Sequence, residues 1–311
     1  MANVSGKLPV VKHLYQNHLM DALRWNFFTP RADDIVVATT YKAGTTWVQT
    51  IVANLLFAGK QLPGSLHDMA PWLEQRLFPL ELVLTRLEQQ THRRSIKTHL
   101  PLDGLPFHEG VKYVYVGRDP RDVFMSFWNF YGNFSPQMIA AINGIPGRVG
   151  GELQKCPEDI HELWHNWATR GWFEWESEGY PFWSVMRHAQ TWWDYRHRQN
   201  ILFVHFADLL ADMEGGIRRI ARYLEIEPPA DAWPAILRNC SFAEMKAHGD
   251  ELLPMMKMLL KGGSDSFFHK GTNGRWREVL SADELKLYEA AAARELTPEC
   301  RRWLEHGGAT A

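Results

Sequence analysis

The sequence predicts a single α/β domain over residues 1–311, with a central parallel sheet flanked by helices. Apolar, β-rich runs lie at 35–38, 111–116 and 201–206, and each is followed by a helical pattern. This alternation is typical of a parallel sheet. The first run leads directly into a turn built for phosphate. With 45% hydrophobic and 23% charged residues, the chain can bury a large core.

The first strand runs into the turn Lys42-Ala43-Gly44-Thr45-Thr46, which opens a helical pattern at Trp47. Gly44 allows the backbone to come close to a ligand, while the N–H groups of the first helical turn and the Thr45 and Thr46 hydroxyls point at an anion. Lys42 adds a positive charge. The Walker pattern places its Lys directly after a second Gly, whereas here the Lys precedes the Gly. The sequence therefore predicts phosphate binding by a different loop, within a nucleotide-binding core like that of P-loop proteins.

The next strand, at 96–99, carries Lys97 and His99 two residues apart. Side chains alternate along a strand, so these two project to one face. A His of near-neutral pKa can accept a proton from an attacking hydroxyl or amine, and lysines can offset charge that grows on a phosphate oxygen. A lone His before Pro101 would favour a structural role, but Lys97 and the phosphate loop favour a group-transfer site.

Arg118 follows the strand at 113–116, at the carboxyl edge where open α/β sheets bind ligands. Its planar fork suits a phosphate. Ser126, about two turns into the next helix, and Lys270, beside Gly271, are candidates for the same group. The alternative for Arg118 is a surface ion pair with Asp119, which contributes little to stability.

Segments after residue 144 predict further helices and two stretches that are candidates for enclosing a substrate. One helix is expected after Asp208, ended by Pro228-Pro229, and another at 283–296, with loops at 144–151 and 262–265. The Trp-rich stretch 164–175 is interpreted either as a lid over an apolar acceptor or as core. We expect Trp183, Trp192 and Trp193 to pack between helices. The Met-rich segment 252–260 is a candidate mobile wall, with core packing as the alternative.

Bulk properties exclude several classes of protein. A net charge of −2 gives no general basic field for nucleic acid, so anion binding must be local. The residues Cys156, Cys240 and Cys300 are widely spaced, which fits reduced thiols in a cytoplasm. The stretch 1–11 carries no apolar signal segment, and no run of about 18 apolar residues occurs. We expect a cytoplasmic protein without a membrane span.

Four blocks in order resemble the cytosolic sulfotransferase family, with a match from about residue 34 to 280. The blocks are Tyr41-Lys42-Ala43-Gly44-Thr45-Thr46-Trp47, then 96–102, 115–126, and 268–271 with 274–276. They are similar to the family's 5′-phosphosulfate loop, its catalytic Lys-Thr-His segment, its 3′-phosphate strand and helix, and its C-terminal phosphate clamp. Weaker likeness lies at 188–193 and 241–246.

The resemblance implies a sulfotransferase that uses 3′-phosphoadenosine 5′-phosphosulfate (PAPS), releases 3′,5′-adenosine bisphosphate and needs no metal. It implies that His99 is the base, that Lys42 and Lys97 stabilise the bridging oxygen, and that the acceptor is a small molecule, aromatic or lipid-like. The cofactor-binding residues it implies are Lys42, Ala43, Gly44, Thr45, Thr46, Trp47, Arg118, Ser126, Phe206, Cys240, Ser241, Phe242, Met245, His269, Lys270 and Gly271.

Departures from the family pattern affect cofactor affinity more than cofactor identity. At five positions the chain differs from the residue usual in the family: His269 replaces Arg, Phe206 replaces Tyr, Cys240 replaces Thr, Ala43 replaces Ser and Arg275 replaces Asp. The family's dimer motif is not recognisable at 277–282, so no dimer is predicted.

Three other functions are alternatives. His161-Glu162-Leu163-Trp164-His165 satisfies the zinc-peptidase pattern His-Glu-x-x-His on a predicted helix, although no extended His motif follows. A P-loop-type nucleotide kinase is disfavoured by the missing Gly-x-x-x-x-Gly-Lys. A non-catalytic nucleotide-binding module is disfavoured by Lys97 with His99.

Overall fold

A parallel sheet forms the centre of the computed structural model, which describes residues 7–310. Its strands are β1 (Ile35–Thr39), β2 (Ser95–Thr98), β3 (Lys112–Gly117) and β4 (Ile201–His205), in the order β2-β1-β3-β4. Every pairing is parallel, with Ile35 opposite Ser95 and Lys112, and Tyr113 opposite Ile201. The predicted parallel α/β fold is thus confirmed. Residues 1–6, where the predicted signal-free stretch begins, lie outside the described residues, as does residue 311.

Helices cover both faces of the sheet. The first half of the chain supplies α1 (Thr45–Leu56), α2 (Leu66–Met69), α3 (Leu80–Gln89), α4 (Pro120–Gly132), α5 (Pro136–Asn143), α6 (Ile160–Thr169) and α7 (Val185–Trp193). The second half supplies α8 (Phe206–Ala211), α9 (Met213–Leu224), α10 (Trp233–Asn239), α11 (Phe242–Ala247), α12 (Gly249–Leu252), α13 (Met256–Leu259), α14 (Gly263–Phe267), α15 (Ala282–Glu295) and α16 (Pro298–His306). Short 3₁₀ turns lie at Ala22–Phe27, Leu102–Gly104, Ala230–Ala232 and Arg275–Glu278.

Alternate residues of each strand enter two separate cores. Val36 and Ala38 of β1 belong to the larger core, while Ile35 and Val37 belong to the core beneath α1 and α9. Because both faces are covered, the strand is apolar at successive positions, as parallel sheets require. This double burial explains why the sequence showed continuous apolar runs.

The helix predicted after Asp208 is in fact two helices, so that prediction was wrong in detail. The break falls at Asp212, whose side chain accepts a hydrogen bond from the Gly215 N–H and caps α9. Asp is unfavourable inside a helix and favourable at its N-cap, because its carboxylate pairs with the free N–H groups. By contrast, α15 begins within one residue of the predicted position, after a Ser281–Glu284 capping box.

The Trp-rich stretch is core and not a lid. Trp164 and Trp167 are fully buried, and their rings lie 4.8 and 5.5 Å from the ring of Phe124. Trp172 packs edge-on against His18, and Trp175 stacks on His13. The aromatic residues of this stretch therefore hold α6 against α4 and the following loop against the N-terminal segment that carries His13 and His18.

A buried ion pair ties the amino ends of β1 and β2 together. Arg94 Nε lies 2.7 Å from Asp34 Oδ1 and Arg94 Nη2 lies 2.6 Å from Asp34 Oδ2, with both side chains fully buried. We expect Asp34→Asn to lower the free energy of unfolding by about 3–5 kcal/mol, because it removes the buried counter-charge of Arg94 and leaves only the exposed carboxylate of Glu88, whose Oε1 lies 3.2 Å from Arg94 Nη1. Urea unfolding measures this, and exposed Asp33→Asn is the matched control. A loss no larger than that of the control would contradict the role of the pair.

Within residues 7–310, no helix is both long enough and apolar enough to cross a membrane.

Candidate functional site

The carboxyl edge of the sheet carries the candidate site, and each strand contributes to it. Lys42 lies in the loop after β1, His99 directly follows β2, Arg118 directly follows β3, and Phe206 directly follows β4. All four line one cavity with a volume of about 380 Å³. The chain leaves β1 and β3 in opposite directions, and such a switch point opens a crevice at the sheet edge. Residues far apart in sequence meet there for this reason.

The loop after β1 has the backbone geometry of a close anion site. Gly44 has φ +110°, and a Cβ atom there would lie 2.8 Å from the Phe206 ring. Only Gly combines that angle with that approach. The Thr45 hydroxyl lies 2.5 Å from the Thr39 hydroxyl, and α1 begins at Thr45. The N–H groups of this twelve-residue helix are thus presented at the cavity.

Lys42 is held between two aromatic rings at the centre of the site. Its Nζ lies 4.5 Å from the ring centroid of Phe130 and 4.0 Å from that of Phe267. Burial, and then the positive charges of Arg118 and Lys97, lower the pKa of Lys42 to about 7. The amine is therefore poised to gain a proton when an anion enters.

His99 is placed as a neutral imidazole with one free nitrogen. Its Nδ1 lies 2.7 Å from the Thr39 carbonyl oxygen, so Nδ1 donates its proton there and leaves Nε2 with a lone pair. Burial, followed by the charge of Lys97, lowers the pKa of His99 well below its ordinary value. A neutral ring with Nε2 unprotonated has the state required of a general base.

Lys97 shares this face, as alternation along β2 predicts. Its Nζ lies 4.7 Å from the ring centroid of Trp72, and the same ring packs edge-on against His99 at 4.9 Å. Burial lowers the pKa of Lys97 to about 8, while the charge of Glu74 opposes this shift. Trp72 and Glu74 were both missed by sequence reasoning, because they come from the irregular segment before α3.

Arg118 is buried and connects three loops. Its Nε donates to Asn273 Oδ1 at 3.0 Å, and its Nη groups donate to the carbonyls of Lys42 and Thr272. These bonds leave further N–H groups of the fork free for an anion. Ser126 of α4 lines the same cavity.

The C-terminal clamp lies at the rim of the cavity. His269 and Lys270 are exposed, and Gly271 has φ +63°, where an added Cβ atom would lie 2.8 Å from the Phe242 ring. Partial burial, and then the charge of Arg275, lower the pKa of His269. His269 is thus neutral through most of the physiological range, unlike the arginine usual at this position.

Arg275, which belongs to the predicted clamp block 274–276, lines the cavity as well. Its Nε is buried and has no hydrogen-bond partner within the protein. A buried donor of this kind without a partner marks a place for a ligand oxygen.

An aromatic cluster in the cavity brings several of the predicted cofactor-binding residues together. The Trp47 and Phe206 rings pack edge-on with centroids 5.3 Å apart, and the Arg118 guanidinium lies 4.1 Å from the Phe206 ring. Ser241, Phe242 and Met245 also line the cavity. Two predicted contacts differ, since Ala43 and Cys240 are fully buried and do not line it. Cys240 instead accepts a hydrogen bond from Trp47 Nε1 through its carbonyl oxygen, at 2.8 Å.

Much of the remaining cavity wall is apolar. The predicted Met-rich segment contributes Met255, Met256 and Leu259, which are joined by Leu19, Leu77, Phe78, Phe134, Met138 and Phe182. Trp183, expected only to pack between helices, lines the cavity too, with its ring centroid 5.7 Å from that of His99. A small anion does not need such a wall, whereas an apolar acceptor does.

The His-Glu-x-x-His match lies outside the cavity, on an exposed face of α6. His161 Nδ1 lies 2.7 Å from Glu284 Oε1, so one of the two histidines is engaged in a surface ion pair. Among residues 7–310, no group of three or more His, Cys, Asp or Glu side chains is arranged to hold a metal ion.

The lowered pKa of Lys42 predicts that the protein takes up a proton when an anion binds. At pH 8, a Lys42 with a pKa of about 7 is roughly nine-tenths neutral, and a bound phosphate raises that pKa. We expect about one proton to be taken up per 3′,5′-adenosine bisphosphate bound at pH 8, measured by calorimetry in two buffers of different ionisation enthalpy. Lys42→Met should remove most of this uptake, and Lys286→Met, which alters an exposed residue, should not. Identical heats in both buffers would contradict the prediction.

Sequence comparisons agree with this geometry. A family model described as a sulfotransferase domain matches residues 32–297. The chain is 30% identical over 310 residues to the glycolipid sulfotransferase of Mycobacterium bovis (strain BCG / Pasteur 1173P2), a match that covers 94% of each chain. It is also 26% identical over 257 residues to human sulfotransferase 1E1, covering 80% of this chain and 79% of that protein.

Solved structures share the fold. Mouse sulfotransferase SULT7A1 complexed with PAP superposes with a TM-score of 0.67 at 19% identity, covering 90% of both chains. Retinol dehydratase in a complex with retinol and PAP gives a TM-score of 0.66 at 23% identity, covering 89% of this chain and 84% of that one.

Proposed function

Because the chain belongs to the sulfotransferase domain family, it is a sulfotransferase, and we propose that it moves the sulfuryl group of PAPS to a hydroxyl of a lipid-like acceptor. The observation that supports this most is the single cavity in which Lys42, Lys97, His99 and Arg118 face an apolar wall. The positive residues match the phosphates of the donor, and the apolar wall matches the acceptor.

The side chains suggest the following division of work. His99 Nε2 accepts the proton of the acceptor hydroxyl. The hydroxyl oxygen of the acceptor then forms a bond to sulfur as the bond between sulfur and the bridging phosphate oxygen breaks. Lys42 and Lys97 stabilise the charge that grows on that bridging oxygen. The hydroxyls of Thr45 and Thr46 and the N–H groups of α1 hold the 5′-phosphate, and no step requires a metal.

The nucleotide is held by groups on both sides of the cavity. Arg118, Ser126, Lys270 and Arg275 would contact the 3′-phosphate, and the cluster of Trp47, Phe206, Phe242 and Met245 would stack against adenine. The two solved structures named above contain PAP, which supports this assignment of the donor.

A lipid-like acceptor is supported by two observations. Nine apolar side chains line the same cavity as His99, and two relatives in mycobacteria carry the name glycolipid sulfotransferase. Burial of a hydrocarbon segment contributes about 25 cal/mol per Å² removed from water, so this wall favours long apolar acceptors.

Transfer from ³⁵S-labelled PAPS tests the proposal directly. The acceptors are a glycolipid, a long-chain alcohol, a simple phenol and the free sugar headgroup. We expect labelled product with the glycolipid or the long-chain alcohol and little with the free headgroup. Transfer to the phenol without transfer to the glycolipid or the long-chain alcohol would overturn the proposal of a lipid-like acceptor. The absence of transfer to all four acceptors would oppose the activity as proposed.

We also propose a cytoplasmic location. Cys156, Cys240 and Cys300 are buried free thiols, which fits a reducing compartment. Fractionation of cells, with the enzyme followed by transfer activity, tests this location.

A further inference from the structure

Glu74 is a fully buried carboxylate beside the transfer site, in a segment that runs along β2. The Lys97 N–H donates to the Pro71 carbonyl at 2.9 Å, and Trp72 forms a parallel bridge with Lys97. Backbone pairing at Trp72 therefore fixes the chain two residues before Glu74, and Glu74 lies beside the end of β2. A rigid group at this position can fix the conformation of the backbone at His99.

Four donors converge on this carboxylate. Oε1 accepts hydrogen bonds from the His99 backbone N–H at 2.6 Å, from Trp72 Nε1 at 2.6 Å and from Thr98 Oγ1 at 3.0 Å. Oε2 accepts one from Trp25 Nε1 at 2.9 Å. Burial raises the pKa of Glu74, but all four groups donate, and such donors favour the ionised form.

These bonds lead directly to both groups that act on the substrates. The bond to the His99 N–H fixes the backbone that carries the imidazole, on the opposite side from the bond between Nδ1 and Thr39. The bond to Trp72 fixes a ring that touches the His99 ring and lies under the Lys97 ammonium. One carboxylate therefore orients the base and the lysine together.

Glu74 is also the negative charge that acts on Lys97 in this cluster. The other titratable groups that face Lys97 are Lys42, His67 and His99. Once an anion binds and Lys42 is protonated, the charge of Lys42 opposes a positive charge on Lys97. Burial alone would favour a neutral amine, which cannot stabilise a developing anion. A fixed negative charge at the end of the Trp72 indole counters both effects.

We propose that Glu74 is a positioning residue for sulfuryl transfer, which fixes His99 and Trp72 by hydrogen bonds and keeps Lys97 in its cationic form. The inference rests on the proposed function, because it gives a reason for the states of the two groups that the reaction would use. It assigns no contact with either substrate to Glu74.

The substitution Glu74→Gln has to be combined with a second substitution at Trp25. In Glu74→Gln, the amide oxygen can keep the three bonds on the cavity side, but the amide NH₂ then faces the Trp25 N–H, and two donors oppose each other. Trp25→Phe removes that donor without touching the cavity, since Trp25 does not line it. The informative protein is thus Trp25→Phe/Glu74→Gln, and Trp25→Phe alone is its matched control.

Two measurements test the proposal. The titration of Lys97 is followed by NMR of ¹³Cε-labelled lysine, with Lys97→Met to identify the signal, and the pH profile of kcat is followed by ³⁵S transfer. We expect the Lys97 midpoint to fall by about one pH unit in the double variant, and kcat at pH 8.5 to fall about tenfold more than kcat at pH 6.5. The control should keep the wild-type midpoint and profile, and both proteins should bind 3′,5′-adenosine bisphosphate equally at pH 6.5.

A double variant that melts cooperatively and shows the control's Lys97 midpoint and kcat profile would overturn the proposal. The NMR titration does not depend on turnover. A wild-type enzyme without transferase activity would therefore oppose the proposed function, whereas an unchanged Lys97 midpoint would oppose the role of Glu74.

Discussion

His99→Gln should lower kcat by about 10²–10⁴-fold, the usual effect of removing a general base. The substitution removes the imidazole and with it the Nε2 lone pair that accepts the proton. The Gln amide can still donate a hydrogen bond to the Thr39 carbonyl oxygen, which in the wild-type protein accepts one from His99 Nδ1–H. The backbone N–H remains bonded to Glu74. Thermal melting and affinity for 3′,5′-adenosine bisphosphate should therefore change little, and the loss should appear in single-turnover transfer.

His67→Gln is the matched control for this experiment. His67 lines the same cavity, and burial, reinforced by Lys97, lowers its pKa to about 4, so it too is neutral at physiological pH. If His67→Gln abolished transfer and His99→Gln retained it, the assignment of the base would pass to His67. Because the pKa of His99 is held well below 6.5, wild-type kcat should show no loss of base function down to pH 6.5.

3′,5′-Adenosine bisphosphate should bind about 10²–10⁴-fold more tightly than 5′-AMP. Charge-assisted hydrogen bonds contribute about 1.5–3 kcal/mol each, and two such contacts to the 3′-phosphate account for this range. Arg118 has free N–H groups on its fork, and Arg275 has a buried Nε without a partner. Competition calorimetry at fixed ionic strength measures the ratio of the two affinities.

Arg275→Met should reduce that ratio by about tenfold or more, whereas Arg277→Met should leave it unchanged. The two arginines lie in the same 3₁₀ turn, but only Arg275 lines the cavity, while Arg277 is exposed. Net charge changes equally in both variants, so the comparison separates a local contact from a general field. Equal affinity of the wild-type protein for the two nucleotides would contradict the assignment of a 3′-phosphate site.

Strand positions and the residues that end strands could be predicted from the sequence. β1 and β3 were predicted to within one or two residues, because a strand buried on both faces is a continuous apolar run. The phosphate loop was predictable because only Gly tolerates the conformation of Gly44, and alternation along β2 placed Lys97 with His99. By contrast, the break at Asp212 depends on a capping bond that competes with helix continuation, and apolar spacing alone does not register it.

Other parts of the site depend on contacts across large sequence separations. Glu74 meets His99 and Trp25 through bonds that join separate loops, and Arg275 reaches the cavity only when the C-terminal segment folds back over α4. Glu74 lies in irregular chain and carries no local signal. The block 274–276 resembles a phosphate clamp, but the sequence does not show that the Arg275 side chain reaches the cavity. Trp164 and Trp183 are identical in type, yet one is core and the other lines the cavity.

By itself, the sequence determined the α/β class, the phosphate loop and the pairing of a lysine with a histidine, because those features depend on local periodicity and on the backbone freedom of single residues. Only the tertiary structure decided which aromatic residues enclose the cavity, that Lys42 lies between Phe130 and Phe267, and that burial lowers the pKa values of both lysines. The physical reason is that desolvation and charge coupling depend on distances between residues, and folding sets those distances between positions that are remote in the chain.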